Sequence, residues 1–156
     1  FAVRVARPNE VLGLEFLPKT LGYRLQFTAK PSDYLTELEK SRKVVNASTS
    51  IGLIMSEEGK ISSVVPGSAA DKAALAGGMT ISGVNGRKFS GQRLRDGIAN
   101  SVGNRKIELL ILDGDTFRTV KLDYGDGPKY LELTRSSEHP DTLAAILKPL
   151  IKEEKK

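Results

Sequence analysis

Turn-forming residues punctuate the chain between Ser50 and Leu122 so densely that only short strands and short helices fit between them. Ser50 to Ser56 reads as a strand that ends at the turn Glu57-Glu58-Gly59, and Lys60 to Val65 as a second that ends at Pro66-Gly67. Ser68 caps a short helix through Ala69, Ala70, Ala73 and Ala74, and Gly77-Gly78 ends it. Met79 to Val84 is the next strand. Asn85-Gly86 is the dipeptide favoured in type I′ hairpin turns, so Arg87-Lys88-Phe89 should return beside that strand. Ser90 caps a second helix in which Leu94 and Ile98 stand one turn apart, and Gly103-Asn104 closes it. Lys106 to Leu112 and Thr116 to Leu122 then make a hairpin across Asp113-Gly114-Asp115. The series predicts an α+β domain over residues 50–123: a small, partly open β-barrel of five to six short strands with two helices.

N- and C-terminal extensions flank it. Residues 1–49 read as an extension or linker in which Gly22 to Phe27 alternates like a strand. Pro31-Ser32 opens a helix through Arg42, with Ser32 as cap and Glu39 and Lys43 as a supporting pair. In residues 124–156, Gly125, Gly127 and Pro128 break the chain, and Tyr130 to Leu133 reads as a short strand. Pro140 suits the first turn of a helix carrying Asp141, Leu143, Ile146 and Leu147, which stops before Pro149. The stripe Leu143, Ile146 and Leu147 is expected to dock on the barrel, or on a neighbouring domain, because burying each side chain is worth about 1.5–3 kcal/mol.

Composition excludes several chemistries. The chain has 156 residues and no cysteine, so it holds no disulfide framework, thiolate metal site or cysteine nucleophile. That absence leaves periplasmic, secreted and cytoplasmic compartments open. His139 is the one histidine, so a His-Glu-x-x-His zinc site has no place here and no metal or cofactor is expected in this chain. Ser137, His139 and Asp141 are neighbours in sequence, which is not triad geometry, and no Gly-x-Ser-x-Gly elbow occurs. The net charge of +5 raises nucleic acid as a partner. However, the basic residues are scattered and aromatic residues make up only 6%, which leaves little platform for stacking bases. No apolar run is long enough for a membrane span. The opening Phe1-Ala2-Val3-Arg4 is neither a signal peptide nor an initiator methionine, so the chain is expected to be a piece of a longer protein.

The stretch from Gly59 through Lys60-Ile61-Ser62-Ser63-Val64-Val65-Pro66-Gly67-Ser68-Ala69-Ala70, followed by Gly78-Met79-Thr80-Ile81-Ser82-Gly83-Val84-Asn85-Gly86, resembles a PDZ domain of the permuted bacterial kind. It departs from the family at Ala73-Ala74-Leu75, where Ala-Gly-Leu is usual, and at Gly78-Met79, where Gly-Asp is usual. The flanking words Leu21-Gly22-Tyr23-Arg24-Leu25, Pro31-Ser32, Leu122-Asp123-Tyr124 and Asp141 to Pro149 resemble the C-terminal region of the glycyl aminopeptidase family. That resemblance implies a zinc metallopeptidase whose catalytic domain, and whose zinc, lie upstream of Phe1.

A PDZ domain takes an extended peptide as an added strand and holds its terminal carboxylate on backbone N–H groups of a loop. The resemblance puts Ser50-Ile51-Gly52-Leu53 in that loop, with Met55 lining a side pocket at period two. The helix after Ser90 supplies the opposite wall through Leu94 and Ile98, with Arg95 beside them; which aliphatic faces the groove stays open. The implied partners are peptide C-termini, extended segments, or the upstream catalytic domain. Two alternatives stand: a PDZ module of a trypsin-like periplasmic protease, and a structural scaffold whose own segment, around residues 34 to 45, fills the groove.

Overall fold

The computed structural model describes residues 22–148. These divide into two compact units, one of residues 27–131 and one formed from both ends of the chain.

In the larger unit, helix α1 (Asp33–Arg42) starts at Ser32, whose Oγ accepts a hydrogen bond from the Leu35 N–H, and ends at Lys43 in the left-handed conformation. None of its residues is buried. Strands β2 (Val44–Ala47), β3 (Leu53–Ser56) and β4 (Ile61–Val64) form an antiparallel sheet with β3 in the middle. Ser68 caps helix α2 (Ala69–Lys72), accepting from the Asp71 N–H, and Ser90 caps helix α3 (Gly91–Ala99), accepting from the Arg93 N–H. Strands β5 (Thr80–Val84), β6 (Arg87–Lys88), β7 (Lys106–Asp113) and β8 (Thr116–Asp123) form a second sheet in the order β6-β5-β7-β8. Asn85 and Gly86 both take positive φ between β5 and β6, as a type I′ turn requires.

The core lies between the sheets and the helices. Leu53 and Met55 of β3 and Ile107, Leu109 and Ile111 of β7 alternate inward, as period-two strands do. Ile61, Ile81, Leu94, Ile98 and Leu122 complete the same cluster.

The smaller unit holds most of β1 (Tyr23–Thr28) and β9 (Tyr130–Arg135), which pair as a two-stranded sheet. Arg24 bridges to Glu138 at 2.7 Å, and the Ser136 N–H donates to the Gly22 carbonyl at 2.8 Å. Helix α4 (Thr142–Leu147) begins at Asp141, which accepts from the Ala144 N–H at 2.8 Å and pairs with Arg135 at 2.9 Å.

The fold is mixed α+β, with two corrections to the expectation. Among the described residues there are nine strands and four helices in all: residues 50–123 hold six strands and two helices, and of the elements in the flanking extensions (β1, β2, β9, α1 and α4) only β2 was not expected. The strands distribute over three sheets and close no barrel. On α4, Leu143 is half-buried while Ile146 and Leu147 are 65% and 72% exposed.

Candidate functional site

Strand β2 lies on the edge of β3 that an added strand would otherwise use. Val45 stands opposite Met55 and Ala47 opposite Leu53, antiparallel and in regular register. Both β2 side chains point inward and are buried with their β3 partners. On the far side β2 meets α3. A β-carbon on Gly91 would come 2.8 Å from Val45 Cγ2, so the helix can approach this closely only with glycine there. The space left among Val45, Ala47, Ser50, Leu94, Ile98 and Tyr130 is about 10 Å³, room for no more than about one water molecule. The cleft between β3 and α3 is therefore filled by the chain's own residues 44–47.

The end of β2 is held by the loop that follows. The Ala47 carbonyl accepts from the Ser50 N–H at 3.2 Å and from the Gly52 N–H at 3.0 Å. Gly52 has φ +86°, and a β-carbon there would lie 2.1 Å from the Ser68 side chain, so the turn needs glycine on two counts. The Gly52 carbonyl in turn accepts from the Val65 N–H at 2.9 Å, and the Ile51 carbonyl from the Ala70 N–H at 3.0 Å, which tie the loop to β4 and α2.

A second brace comes from residues 124–130. The Lys129 N–H donates to Ser50 Oγ at 3.0 Å, and Thr49 Oγ1 donates to the Lys129 carbonyl. Tyr124 is buried beneath this segment and donates its hydroxyl to the Gly127 carbonyl at 2.6 Å. Burial pushes the Tyr124 phenol above its usual range. Lys129 pairs with Asp126 at 2.6 Å, which raises the ammonium and lowers the carboxyl.

The outward edge of β2 is guarded by one carboxylate. Glu39 of α1 accepts from the Asn46 N–H at 2.9 Å and also pairs with Arg95 of α3. Both charged side chains are partly buried, at 15% and 32% exposure, so this pair is shielded from solvent more than an ordinary surface bridge. A carboxylate that stops an edge N–H from pairing with another chain is one way proteins protect sheet edges.

Each residue singled out from the sequence can now be placed. Ser50 and Gly52 sit in the loop with their N–H groups on Ala47, and Ile51, Leu53 and Met55 are fully buried. Leu94 and Ile98 both face inward from α3 and both line the space against β2. Arg95 sits on the flank of α3, pairs with Glu39, and with it lines a cavity of about 590 Å³ bounded also by Val45 and Gly91. The scaffold alternative put a segment around residues 34 to 45 in the groove; the strand beside β3 is Val44–Ala47, which overlaps that segment only at Val44 and Val45, and Ala47, Gly91 and the role of Glu39 were not anticipated. A β-branched pair at Val44-Val45 was the available signal, too short to separate a strand from a linker. Glu39 was expected to pair with Lys43, but Lys43 ends the helix at φ 52° and leaves the helical face.

No protein-family model matches the chain, and no curated protein matches it. Among solved structures it is similar to a crystal structure of the HtrA3 PDZ domain bound to a phage-derived ligand (FGRWV). The identity is 13%, over 72% of this chain and 93% of that one, with a TM-score of 0.37. Among the described residues, no helix is long and apolar enough to cross a membrane, and no three His, Cys, Asp or Glu side chains cluster as metal ligands.

Proposed function

We propose that this chain is a non-catalytic, PDZ-like interaction module that holds an extended segment as a strand on β3, against α3. The observation that carries the reading is the seat of Ala47: a backbone oxygen at the end of an antiparallel strand, gripped by the N–H groups of Ser50 and Gly52. A peptide carboxylate would need the same donors in the same place. The order from β3 to β8, with a small capped helix after β4 and a longer one after β6, supports the PDZ-like assignment.

The parent proposed for the module is a zinc metallopeptidase of the glycyl aminopeptidase kind, with catalysis and zinc in an upstream domain. The words around Gly22-Tyr23, Leu122-Asp123-Tyr124 and Asp141 to Pro149 support it. Sequencing upstream of Phe1 tests this part: a His-Glu-x-x-His helix is expected, and a serine-protease domain there would replace the parent.

One observation favours a second reading, a scaffold with β2 permanently seated: the space among Val45, Ala47, Leu94 and Ile98 is almost filled. NMR titration of the chain with C-terminal apolar peptides separates the two. Shifts concentrated at residues 50–55 and 91–99 support capture. Silence across a diverse peptide set leaves the scaffold.

A further inference from the structure

We propose that β2 is a built-in competitor for the groove, and that its residues spell the chemistry of the partner that replaces it. The inference rests on the module reading above. The partner is a chain end in extended conformation, with a small apolar last residue, a polar residue before it, and a β-branched apolar residue third from the end.

Three features of β2 carry this. First, its polarity and register are those of a bound strand. It runs toward the loop, pairs antiparallel with β3, and presents Ala47 and Val45 to the core while Asn46 faces out. Ala47 is buried opposite Leu53, and the space left around it and Val45 is about 10 Å³, so a last residue much larger than alanine would not fit without rearrangement. The Val45 seat is open to a branched side chain only because residue 91 is glycine.

Second, the donors are used below their capacity. The Ser50 and Gly52 N–H groups converge on one neutral carbonyl oxygen, because the chain continues into Ser48. A free chain end would place two carboxylate oxygens there and carry charge. Charge-assisted hydrogen bonds are roughly twice as strong as neutral ones. A true terminus therefore has an advantage that β2 lacks by construction.

Third, β2 is fastened from outside by a part of the molecule that is itself lightly held. Helix α1 buries none of its residues, yet its Glu39 supplies both the bond to the Asn46 N–H and the pair to Arg95. Elements with so little burial belong to the low-stability end of a fold. Release of Glu39 frees the outer edge of β2 and the flank of α3 together.

The test uses the full chain, which has no cysteine of its own. The residues Asn46 and Ile54 stand opposite each other, and the Asn46 N–H goes to Glu39 instead of Ile54, which marks a non-hydrogen-bonded pair with closely spaced Cα atoms. The double variant Asn46→Cys/Ile54→Cys therefore locks β2 when oxidised and frees it when reduced. The probe is the pentapeptide Lys-Val-Val-Asn-Ala, identical to residues 43–47, with a free carboxylate, followed by NMR.

The reduced form is expected to bind at least tenfold more tightly than the oxidised form, and Glu39→Ala several-fold more tightly than the unaltered chain. Amidating the peptide, or placing Asp at its third-last position, should remove the binding. Equal binding by oxidised and reduced forms, with shifts at β3 and α3, overturns the competitor while leaving the module reading intact. No binding by the reduced form and none by Glu39→Ala overturns both.

Discussion

Gly91 and Val45 are packed so closely that a β-carbon on the glycine would stand 2.8 Å from the valine Cγ2. The substitution Gly91→Ala is expected to lower stability by about 1 kcal/mol. Overpacking a closed site costs about 1–3 kcal/mol, offset in part by the helix propensity of alanine, up to about 1 kcal/mol. Adding Val45→Ala should recover part of the loss, so the two changes couple by more than about 0.5 kcal/mol in a urea double-mutant cycle. Strict additivity would mean that β2 and α3 are not in contact there.

Gly52 should tolerate substitution worst of the turn glycines. The change Gly52→Val combines a positive φ with a clash against Ser68, and a loss of more than about 3 kcal/mol is expected. Gly114 also has positive φ, but a β-carbon there would meet nothing within 4 Å, so Gly114→Ala should cost only about 1–2 kcal/mol. Chemical denaturation of both variants checks the contrast, and equal losses would refute the crowding at Ser68.

Tyr124 gives a pH signature. Its phenol is raised by burial, so in alkali the unfolded chain ionises before the folded one. The contribution of this group to stability is fully present below pH about 10 and declines as pH rises above it. Tyr124→Phe loses the bond to Gly127, about 1 kcal/mol near neutrality, yet should show a shallower fall above pH 10. Parallel melting curves for both proteins from pH 8 to 11 decide it, and identical alkaline slopes would clear Tyr124 of the role.

The exposed end of α4 predicts an absence of effect. Ile146→Ser and Leu147→Ser should each change stability by less than about 0.5 kcal/mol, since these side chains are largely in water already. A loss of about 2 kcal/mol from either would reveal packing at that stripe.

Zinc-peptidase turnover of the His-Glu-x-x-His kind is not expected of the chain itself. Aminoacyl and peptide substrates should survive incubation with it, with or without added zinc, because its single histidine cannot build the two-imidazole site. Turnover that persists through purification and tracks the protein would sink this.

Much of the fold is written in local signals. Ser32, Ser68 and Ser90 each accept from an N–H three residues on, as capping residues do without help from distant parts of the chain. Asn85-Gly86 likewise encodes its turn by itself. The inward alternation of Leu53 and Met55 was legible, but what covers them was not. Val44 to Ala47 becomes a strand only by pairing with β3, and four residues carry too little periodicity to announce that. Glu39 misled for a related reason, since its partners Asn46 and Arg95 are set by tertiary placement and its i+4 neighbour is turned away by the helix cap.

The loop Ser48 to Gly52 joins β2 to β3 directly, so the occupant of the cleft is tethered to it by five residues. A segment on so short a leash has an effective concentration in roughly the millimolar range, however dilute the protein. A free partner of equal intrinsic affinity at about micromolar concentration would hold the site only about one part in a thousand of the time. Occupancy by another chain then depends less on how much of it is present than on whether it, too, is tethered nearby, or on whether something draws α1 away.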